Sequence, residues 1–207
     1  MPNGVNVIVD VSHYNANVDF SALKGAGIVG VIHKATQGIT GVDPTYNGHR
    51  TSALQAGLLW GAYHFGTDGD GVQQAISFLN AVGDVSRTLI ALDFESNPTG
   101  PSMSLEEARA FVTHVASVTG RYPGFYSGHD IKQLLGTSAD TVLANCWFWL
   151  AQHGPTAVVP PNWDSWTLWQ YTDGALGPEP TEVPGVGRFD RSIFNGTVDK
   201  LRAFWGS

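Results

Sequence analysis

The segment Thr88-Leu-Ile-Ala-Leu-Asp-Phe-Glu95 is an apolar run that ends in two carboxylates on alternate residues. Its length and composition predict a buried strand. Because successive side chains of a strand point to opposite faces, Asp93 and Glu95 would lie on one side and Phe94 on the other. Two like charges held this close raise the pKa of at least one of them. A protonated acid beside an ionised one is what glycoside hydrolysis requires, although structural acids at a strand end explain this segment alone about equally well.

Strand-like and helix-like segments alternate along most of the chain. Apolar runs predict strands at residues 6–10, 28–35, 58–65, 88–95 and 122–127. Helical patterns follow them at residues 18–25, 46–56, from 70 onward, from 104 to 120, and at 130–135. Three more strands are predicted at 146–151, 167–171 and near 187–194, with no helical stripe between them.

Two of these helices have specific start signals and packing faces. Asp70 is placed to begin one with Gln73 as its capping partner, and Ser104 and Glu107 have capping-box spacing in the other. Helical spacing also predicts which residues pack on the sheet. They are Val72, Ala75, Ile76 and Leu79 in the first helix, and Ala108, Phe111, Val112 and Val115 in the second.

The order of elements indicates an α/β fold. Strands that alternate with helices form parallel sheets through right-handed crossovers. Eight such strands are enough to close into a reduced relative of the (β/α)8 barrel in which several outer helices are missing. A chain of 207 residues is long enough for one sizeable core and short for two, so we expect a single domain over residues 1–207.

Polar side chains follow every predicted strand. In barrels of this kind, the chemistry takes place at the C-terminal ends of the strands, where these side chains would converge. In chain order they are Asp10 and Ser12, Lys34 and Thr36, Tyr63 and His64, Asp93 and Glu95, Tyr126 and Ser127, Gln152 and His153, Gln170 and Tyr171, and Asp190. This convergence favours an enzymatic site over a purely structural pair of acids.

Composition argues against some partners and compartment signals. A net charge of −7 without any Lys/Arg run is unlike the basic surface that binds nucleic acid or an anionic membrane. Cys146 is the single cysteine, so it forms no internal disulfide. The first ten residues contain neither a basic start nor a long apolar segment, so we expect no signal peptide and no membrane anchor.

Several motifs also resemble one known family in their order along the chain. They are Asp10-Val-Ser-His-Tyr-Asn with Asp19-Phe20, Lys34-Ala-Thr-Gln-Gly, Gly61-Ala-Tyr-His-Phe65, Leu92-Asp-Phe-Glu95, Trp149-Leu-Ala-Gln152, Trp169-Gln-Tyr-Thr172 and Asp190. Together they resemble glycoside hydrolase family 25, whose members are lysozymes that cut peptidoglycan as N-acetylmuramidases. The resemblance implies a flattened, TIM-barrel-like (β/α)5(β)3 barrel, which agrees with the independent count of strands and helices.

The resemblance also implies roles for the carboxylates. Glu95 corresponds to the general acid/base, and Asp10, Asp93 and Asp190 to the other carboxylates of the catalytic site. Asp93 has two alternative roles: it is either the nucleophile of a double displacement or the group that orients the 2-acetamido group of the substrate for attack. Asp10 and Asp190 would keep negative charge near Glu95 and so favour its protonated form.

Eight further residues are predicted to bind substrate: Lys34, Tyr63, His64, Tyr126, Gln152, Trp169, Gln170 and Tyr171. Several have structural alternatives. The aromatic residues among them are also candidates for the core, and Lys34 is equally suited to an ion pair with an aspartate. For His64, a hydrogen bond to neighbouring backbone is the more common role. The chain departs from the usual family pattern at Asn15, Phe20, Gln37 and His153, where glutamine, tryptophan, glutamate and tyrosine are usual.

Three alternative functions remain open from the sequence. A metal-dependent hydrolase would draw its ligands from Asp10, His13, His33, His64, Asp93, Glu95 and Asp190, but common metal-binding spacings are absent, so we expect no metal and no cofactor. A chitin-type glycosidase and a catalytically silent peptidoglycan-binding protein are the others. The expected partner is the peptidoglycan glycan strand, and we expect the protein to be a monomer. We expect action on the bacterial cell wall, as a phage endolysin or after delivery by a route other than Sec.

Overall fold

The computed structural model describes residues 4–205, and their strands close into a barrel. The barrel strands are β1 (Val5–Val11), β2 (Gly30–Gln37), β4 (Leu59–Phe65), β5 (Leu89–Asp93), β6 (Gly124–Ser127), β7 (Trp147–Ala151), β8 (Leu168–Thr172) and β11 (Asp190–Phe194). They follow one another around the barrel in the order β1, β11, β8, β7, β6, β5, β4, β2, and β2 pairs again with β1. A short β3 (Gly41–Val42) extends β2, and β9 (Glu182–Val183) pairs with β10 (Gly187–Arg188) outside the barrel.

The barrel is mixed rather than wholly parallel. Strands β1, β2 and β4 to β8 run parallel to their neighbours, whereas β11 is antiparallel to both β1 and β8. The expectation of an entirely parallel sheet was therefore wrong for the last strand. Between β8 and β11 the chain contains the β9–β10 hairpin and no helix, and a parallel return requires a long crossover. The (β/α)5(β)3 architecture itself is confirmed.

Five helices belong to the five β/α units, and a sixth helix ends the described part of the chain. They are α1 (Phe20–Gly25), α2 (Tyr46–Gln55), α3 (Gly71–Val82), α4 (Leu105–Thr119), α5 (His129–Leu135) and α6 (Val198–Trp205). The capping box of α4 is present, with Glu107 N donating to Ser104 Oγ at 3.3 Å and Ser104 N donating to Glu107 Oε2 at 2.6 Å. All four predicted packing residues of α4 are buried.

The predicted packing face of α3 is only partly correct. Asp70 caps the helix by accepting from the backbone N–H groups of Val72 and Gln73. The buried residues are Gly71, Gln74, Ala75, Phe78 and Val82, whereas Val72, Ile76 and Leu79 are half-buried. The helix is rotated because Gln74, although polar, is hydrogen-bonded on the inner side: its side chain contacts His64 and both backbone polar groups of Thr67.

Side chains of the barrel strands alternate between two apolar layers. The inner layer includes Ile8, Ile32, Ala91, Trp149 and Leu168, and the outer layer, covered by the helices, includes Val31, Leu92 and Phe125. At the N-terminal end of the barrel, α6 inserts Trp205, whose Nε1 donates to the carbonyl of Trp60 at 2.8 Å. Inward-facing polar residues are therefore concentrated at the opposite, C-terminal end.

The structure describes only part of the residues to which two predictions refer, the single domain over residues 1–207 and the absence of a signal peptide. Residues 1–3 and 206–207, which belong to the predicted domain and to the N-terminal segment inspected for a signal peptide, lie outside the described range. Among the helices within 4–205, none combines the length and apolar character needed to cross a bilayer.

Candidate active site

A pocket of about 80 Å³ opens at the C-terminal end of the barrel. All but one of the residues that line it lie in barrel strands; the exception, Glu95, lies two residues beyond the end of β5. The lining residues are Asp10, Tyr63, Asp93, Glu95, Tyr126, Trp149, Gln170 and Asp190. The structure therefore brings together all four predicted catalytic carboxylates, with Tyr63, Tyr126 and Gln170 from the predicted substrate-binding set.

Asp10 and Asp190 form a coupled pair on neighbouring strands. They are register partners in the β1–β11 ladder, and their carboxyl groups share a hydrogen bond. Burial, followed by the charge of Asp190, raises the pKa of Asp10 well above its usual value, while the amide of Gln170, at 2.9 and 3.1 Å from the two Asp10 oxygens, acts against the rise. Burial and the charge of Asp173 raise the pKa of Asp190 to about 6. Both acids therefore keep a proton to higher pH than a free aspartic acid does.

Asp93 lies deep in the pocket at the end of β5. The residue is buried, and its Oδ1 has no hydrogen-bond partner among the described residues. Burial is the main cause that raises its pKa well above the usual value; the charges of Glu95 and Asp10 add to this, and Lys34 opposes it. An unpartnered buried carboxylate oxygen is costly unless a ligand completes its hydrogen bonding.

Glu95 stands at the rim of the same pocket. The residue is exposed, yet protein atoms around its carboxyl group remove part of its hydration, which is the main cause of its raised pKa. The charges of Asp130 and Asp190 add to the rise, and His153 acts against it. Glu95 thus combines access to solvent and ligands with a preference for the protonated form, as a general acid requires.

Three aromatic side chains complete the pocket wall. Tyr126 donates its hydroxyl to Gln170 Oε1 at 2.8 Å and packs edge-on against Trp149, with ring centroids 4.9 Å apart. Trp149 Nε1 donates to Ser192 Oγ at 2.9 Å. The hydroxyl of Tyr63, which lines the pocket, makes no hydrogen bond to any residue within 4–205 and is therefore available to a ligand.

Lys34 lies beside the pocket rather than in its wall. Its Nζ is 3.5 Å from Gln37 Oε1 and 5.5 Å from the ring centroid of Tyr14, and it forms no salt bridge in the described part of the chain. Burial lowers the pKa of Lys34, while the charges of Asp43 and Asp93 oppose the change. Of its two predicted roles, a direct ion pair with an aspartate is thus not observed.

Four residues predicted to bind substrate do not line the pocket. His64 is fully buried in the outer layer, with Nδ1 2.7 Å from Thr36 Oγ1 and Nε2 3.0 Å from Gln74 Oε1. Trp169 is also buried and donates Nε1 to the carbonyl of Gln152, and the Tyr171 hydroxyl donates to the carbonyl of Pro180. The side chain of Gln152 is bonded to Lys132 and Thr156. We therefore correct these four predictions.

Period-two geometry explains these corrections. In β4 the side chain of Tyr63 faces inward, so that of His64 faces outward; in β8 Gln170 faces inward, so Trp169 and Tyr171 face outward. Applying the same alternation to β7 would have identified Trp149, which the prediction missed as a site residue. His153, Asp173 and Asp130 also act on the site through hydrogen bonds or charge, but they lie in loops or helices where no strand periodicity applies.

The three histidines among the candidate metal ligands do not join the four carboxylates in the pocket. His33 and His64 lie in the outer layer, and His13 forms an ion pair with Asp43, with Nδ1 and Oδ2 2.8 Å apart. Over residues 4–205, no cluster of three or more His, Cys, Asp or Glu side chains has the arrangement of a metal site.

Comparisons with known proteins agree with this geometry. The solved structure of a bacterial lysozyme from Streptomyces coelicolor superposes with a TM-score of 0.84 at 31% identity, covering 100% of this chain and 99% of that one. Lysozyme M1 of Streptomyces globisporus is 33% identical over 94% of this chain and 69% of its own length. The N,O-diacetylmuramidase of Arthroderma benhamiae is 32% identical over 94% of this chain and 84% of its own length. The sequence model of the family described as Glycosyl hydrolases family 25 matches residues 9–178, and the chain therefore belongs to glycosyl hydrolase family 25.

Proposed function

We propose that this protein is a lysozyme of the N-acetylmuramidase type. It hydrolyses the β-1,4 bond between N-acetylmuramic acid and N-acetylglucosamine in bacterial peptidoglycan. The observation that carries the proposal is the group of four carboxylates in one pocket, of which only Glu95 is exposed while its pKa is raised. Family membership and the similarity to a lysozyme and a muramidase support this choice of substrate.

Glu95 acts first as the general acid and then as the general base. In the first step it gives its proton to the glycosidic oxygen as the bond to C1 breaks, and the alcohol group of the leaving sugar departs. In the second step the Glu95 carboxylate takes a proton from the water molecule that attacks C1. The negative charges of Asp130 and Asp190 favour protonated Glu95 before the first step.

For Asp93 we propose the role of orienting the 2-acetamido group rather than that of nucleophile. The deep pocket measures only about 80 Å³, well below the roughly 300 Å³ at which ligand sites usually begin, so it suits a substituent better than a sugar ring. The unpartnered Oδ1 of Asp93 would accept the amide N–H, and the Tyr63 hydroxyl would donate to the acetamido oxygen before it attacks C1. The cyclic intermediate then opens when water attacks.

Two larger grooves near the pocket offer room for a long substrate. One groove of about 490 Å³ is lined by residues that include Glu95, Asp130 and Leu134, and another of about 500 Å³ by residues that include Lys34 and Val42. Grooves of this size close to the carboxylates suit a polymeric substrate. We also propose that the protein works as a monomer, which size-exclusion chromatography with light scattering would test.

Product analysis tests the proposed bond specificity. Purified peptidoglycan is digested with the wild type or Glu95→Gln, and the fragments are reduced with borohydride and identified by mass spectrometry. We expect reduced muramic acid ends from the wild type and a loss of about 10²- to 10⁴-fold in their rate of release for the variant. Reduced glucosamine ends would mean cleavage of the other bond, cleavage of chitin alone would mean a chitinase, and binding without release would mean a silent binding protein.

A further inference from the structure

His153 follows β7 and forms one end of a hydrogen-bonded chain that leads into the pocket. Its Nε2 lies 3.1 Å from Gln170 Oε1, and Gln170 Nε2 lies 2.9 and 3.1 Å from the two oxygens of Asp10. Asp10 is in turn bonded to Asp190. A single side chain near the surface is thereby connected to two of the four carboxylates.

The direction of these hydrogen bonds is determined by the groups at each end. The Gln170 amide nitrogen faces the Asp10 carboxyl group, so its Oε1 must accept from both Tyr126 and His153. The Nε2 of His153 is therefore a donor. On the other side of the ring, Nδ1 faces the carboxylate of Asp173, with 3.6 Å between Nδ1 and Oδ2. The Nε2 atom is thus within hydrogen-bond distance of an acceptor, while Nδ1 stands at ion-pair distance from Asp173, and this geometry favours the imidazolium form.

The charged groups around His153 belong to several elements. Asp173 follows β8, Asp190 lies in β11 and Glu95 follows β5; each of these three carboxyl groups has its pKa lowered by His153. Asp130 of α5 faces Glu95 from the other side, and Lys132 of α5 bonds the adjacent Gln152 rather than the imidazole. The imidazole side chain is 29% exposed, so solvent screens its charge only in part.

We propose that His153 is a positioning residue that works as an imidazolium, holding Gln170 against Asp10 and placing a positive charge beside Glu95 and Asp190. It thereby sets the pH range of the reaction. This inference rests on the proposed glycosidase function. The active pH range is the range in which Glu95 is protonated while the neighbouring carboxylates are ionised.

The pH dependence of kcat/KM for His153→Gln and His153→Ala tests the inference. Glutamine keeps an N–H donor for Gln170 but carries no charge, whereas alanine keeps neither. Without the cation, the pKa values of Glu95 and Asp190 rise, so both limbs of the profile should move to higher pH by about half a unit in either variant. His153→Ala should also lose about three- to tenfold in kcat at its own pH optimum, because the hydrogen bond to Gln170 is lost. His153→Gln keeps this hydrogen bond and should therefore not show this loss of kcat. The matched control is His114→Gln on α4, which should leave the profile in place.

Two results would overturn the inference while leaving the proposed function intact. One is a His153→Gln profile that coincides with the wild type, which would reduce His153 to a neutral hydrogen-bond donor. The other is an imidazole ¹⁵N spectrum, recorded at the pH of optimal wild-type activity, that shows a neutral tautomer instead of two protonated nitrogens. Failure of the wild type to cut peptidoglycan at any pH would instead contradict the proposed function.

Discussion

At the scale of single residues, Asp190 shows that this site is assembled at a cost in stability. Burial and the charge of Asp173 raise its pKa from 3.8 to about 6. Between these values the folded protein binds more protons than the unfolded chain, so the free energy of unfolding falls as the pH rises through this window. Above pH 6 the full cost of the buried carboxylate is present.

Asp190→Asn should therefore stabilise the protein at pH 7 and not at pH 3. A shift of this size corresponds to about 1–3 kcal/mol once coupling to Asp10 and partial exposure are allowed for. Urea denaturation between pH 3 and pH 8 measures the effect, with Asp164→Asn on the exposed surface as the matched control. Equal stability of Asp190→Asn and wild type across this range would contradict the account of the coupled pair.

At the scale of residues, the sequence predicted the position of the four carboxylates better than that of their neighbours, and their catalytic roles stay predictions. Asp10, Asp93 and Glu95 lie at or just beyond the ends of their strands, whereas Asp190 begins β11, whose antiparallel direction brings its first residue to the same end of the barrel. His64 was misplaced because proximity to a strand end was given more weight than the side on which its side chain falls. The role of His153 depends on a contact with Gln170, 17 residues away, which no local pattern encodes.

At the scale of elements, α3 and α4 are in close backbone contact at Gly71. A Cβ atom on this residue would lie 2.1 Å from the backbone oxygen of Glu107, closer than any real contact allows. Gly48, within α2, is the opposite case, because a Cβ there would meet nothing within 4 Å. The same substitution is therefore expected to have opposite effects in the two helices.

Gly71→Ala should lower the free energy of unfolding by about 1–3 kcal/mol, because backbone atoms must move apart. Gly48→Ala should raise it by about 0.5–1 kcal/mol, because alanine is the better helix former and loses less conformational freedom on folding. Thermal and urea denaturation of both variants measure the two effects. A stabilising Gly71→Ala would show that the contact between α3 and α4 is looser than the structure indicates.

The regular elements were predictable because their patterns are strong and local. The capping box at Ser104 and the alternating strands have short-range signals, and both are observed. Helix α6 was missed although Trp205 fills the N-terminal end of the barrel against Gly30 and Gly61. This helix of eight residues is stabilised by packing against the barrel, so the local sequence pattern alone predicts it only weakly.

At the scale of the whole molecule, charge governs how the enzyme meets its substrate. The protein carries a net charge of −7, and bacterial walls that contain anionic polymers repel it. Raising the ionic strength from about 10 to 150 mM shortens the Debye length from about 30 to 8 Å. The initial rate of wall digestion should therefore rise over this range. Walls stripped of anionic polymers should show a smaller rise, and a rate that falls steeply with salt would contradict this electrostatic account.

The direction of β11 is also a property of the whole chain. Closure of the barrel requires a strand between β1 and β8, and β11 is that strand. The loop with the β9–β10 hairpin leads into β11, which runs antiparallel to both neighbours. Nothing in the residues of β11 encodes this direction. Its consequence is local, since Asp190 enters the site from the first residue of β11 and faces Asp10 directly.

The central claim is that Glu95 protonates the leaving group, and a comparison of two substrates tests it most directly. The rates of Glu95→Gln and wild type are measured on peptidoglycan and on an aryl β-glycoside of the GlcNAc–MurNAc disaccharide, whose leaving group needs no proton. We expect a loss of about 10²- to 10⁴-fold on peptidoglycan and a far smaller loss in the step that releases the aryl group. Equal losses on both substrates, or no loss on peptidoglycan, would contradict the role assigned to Glu95.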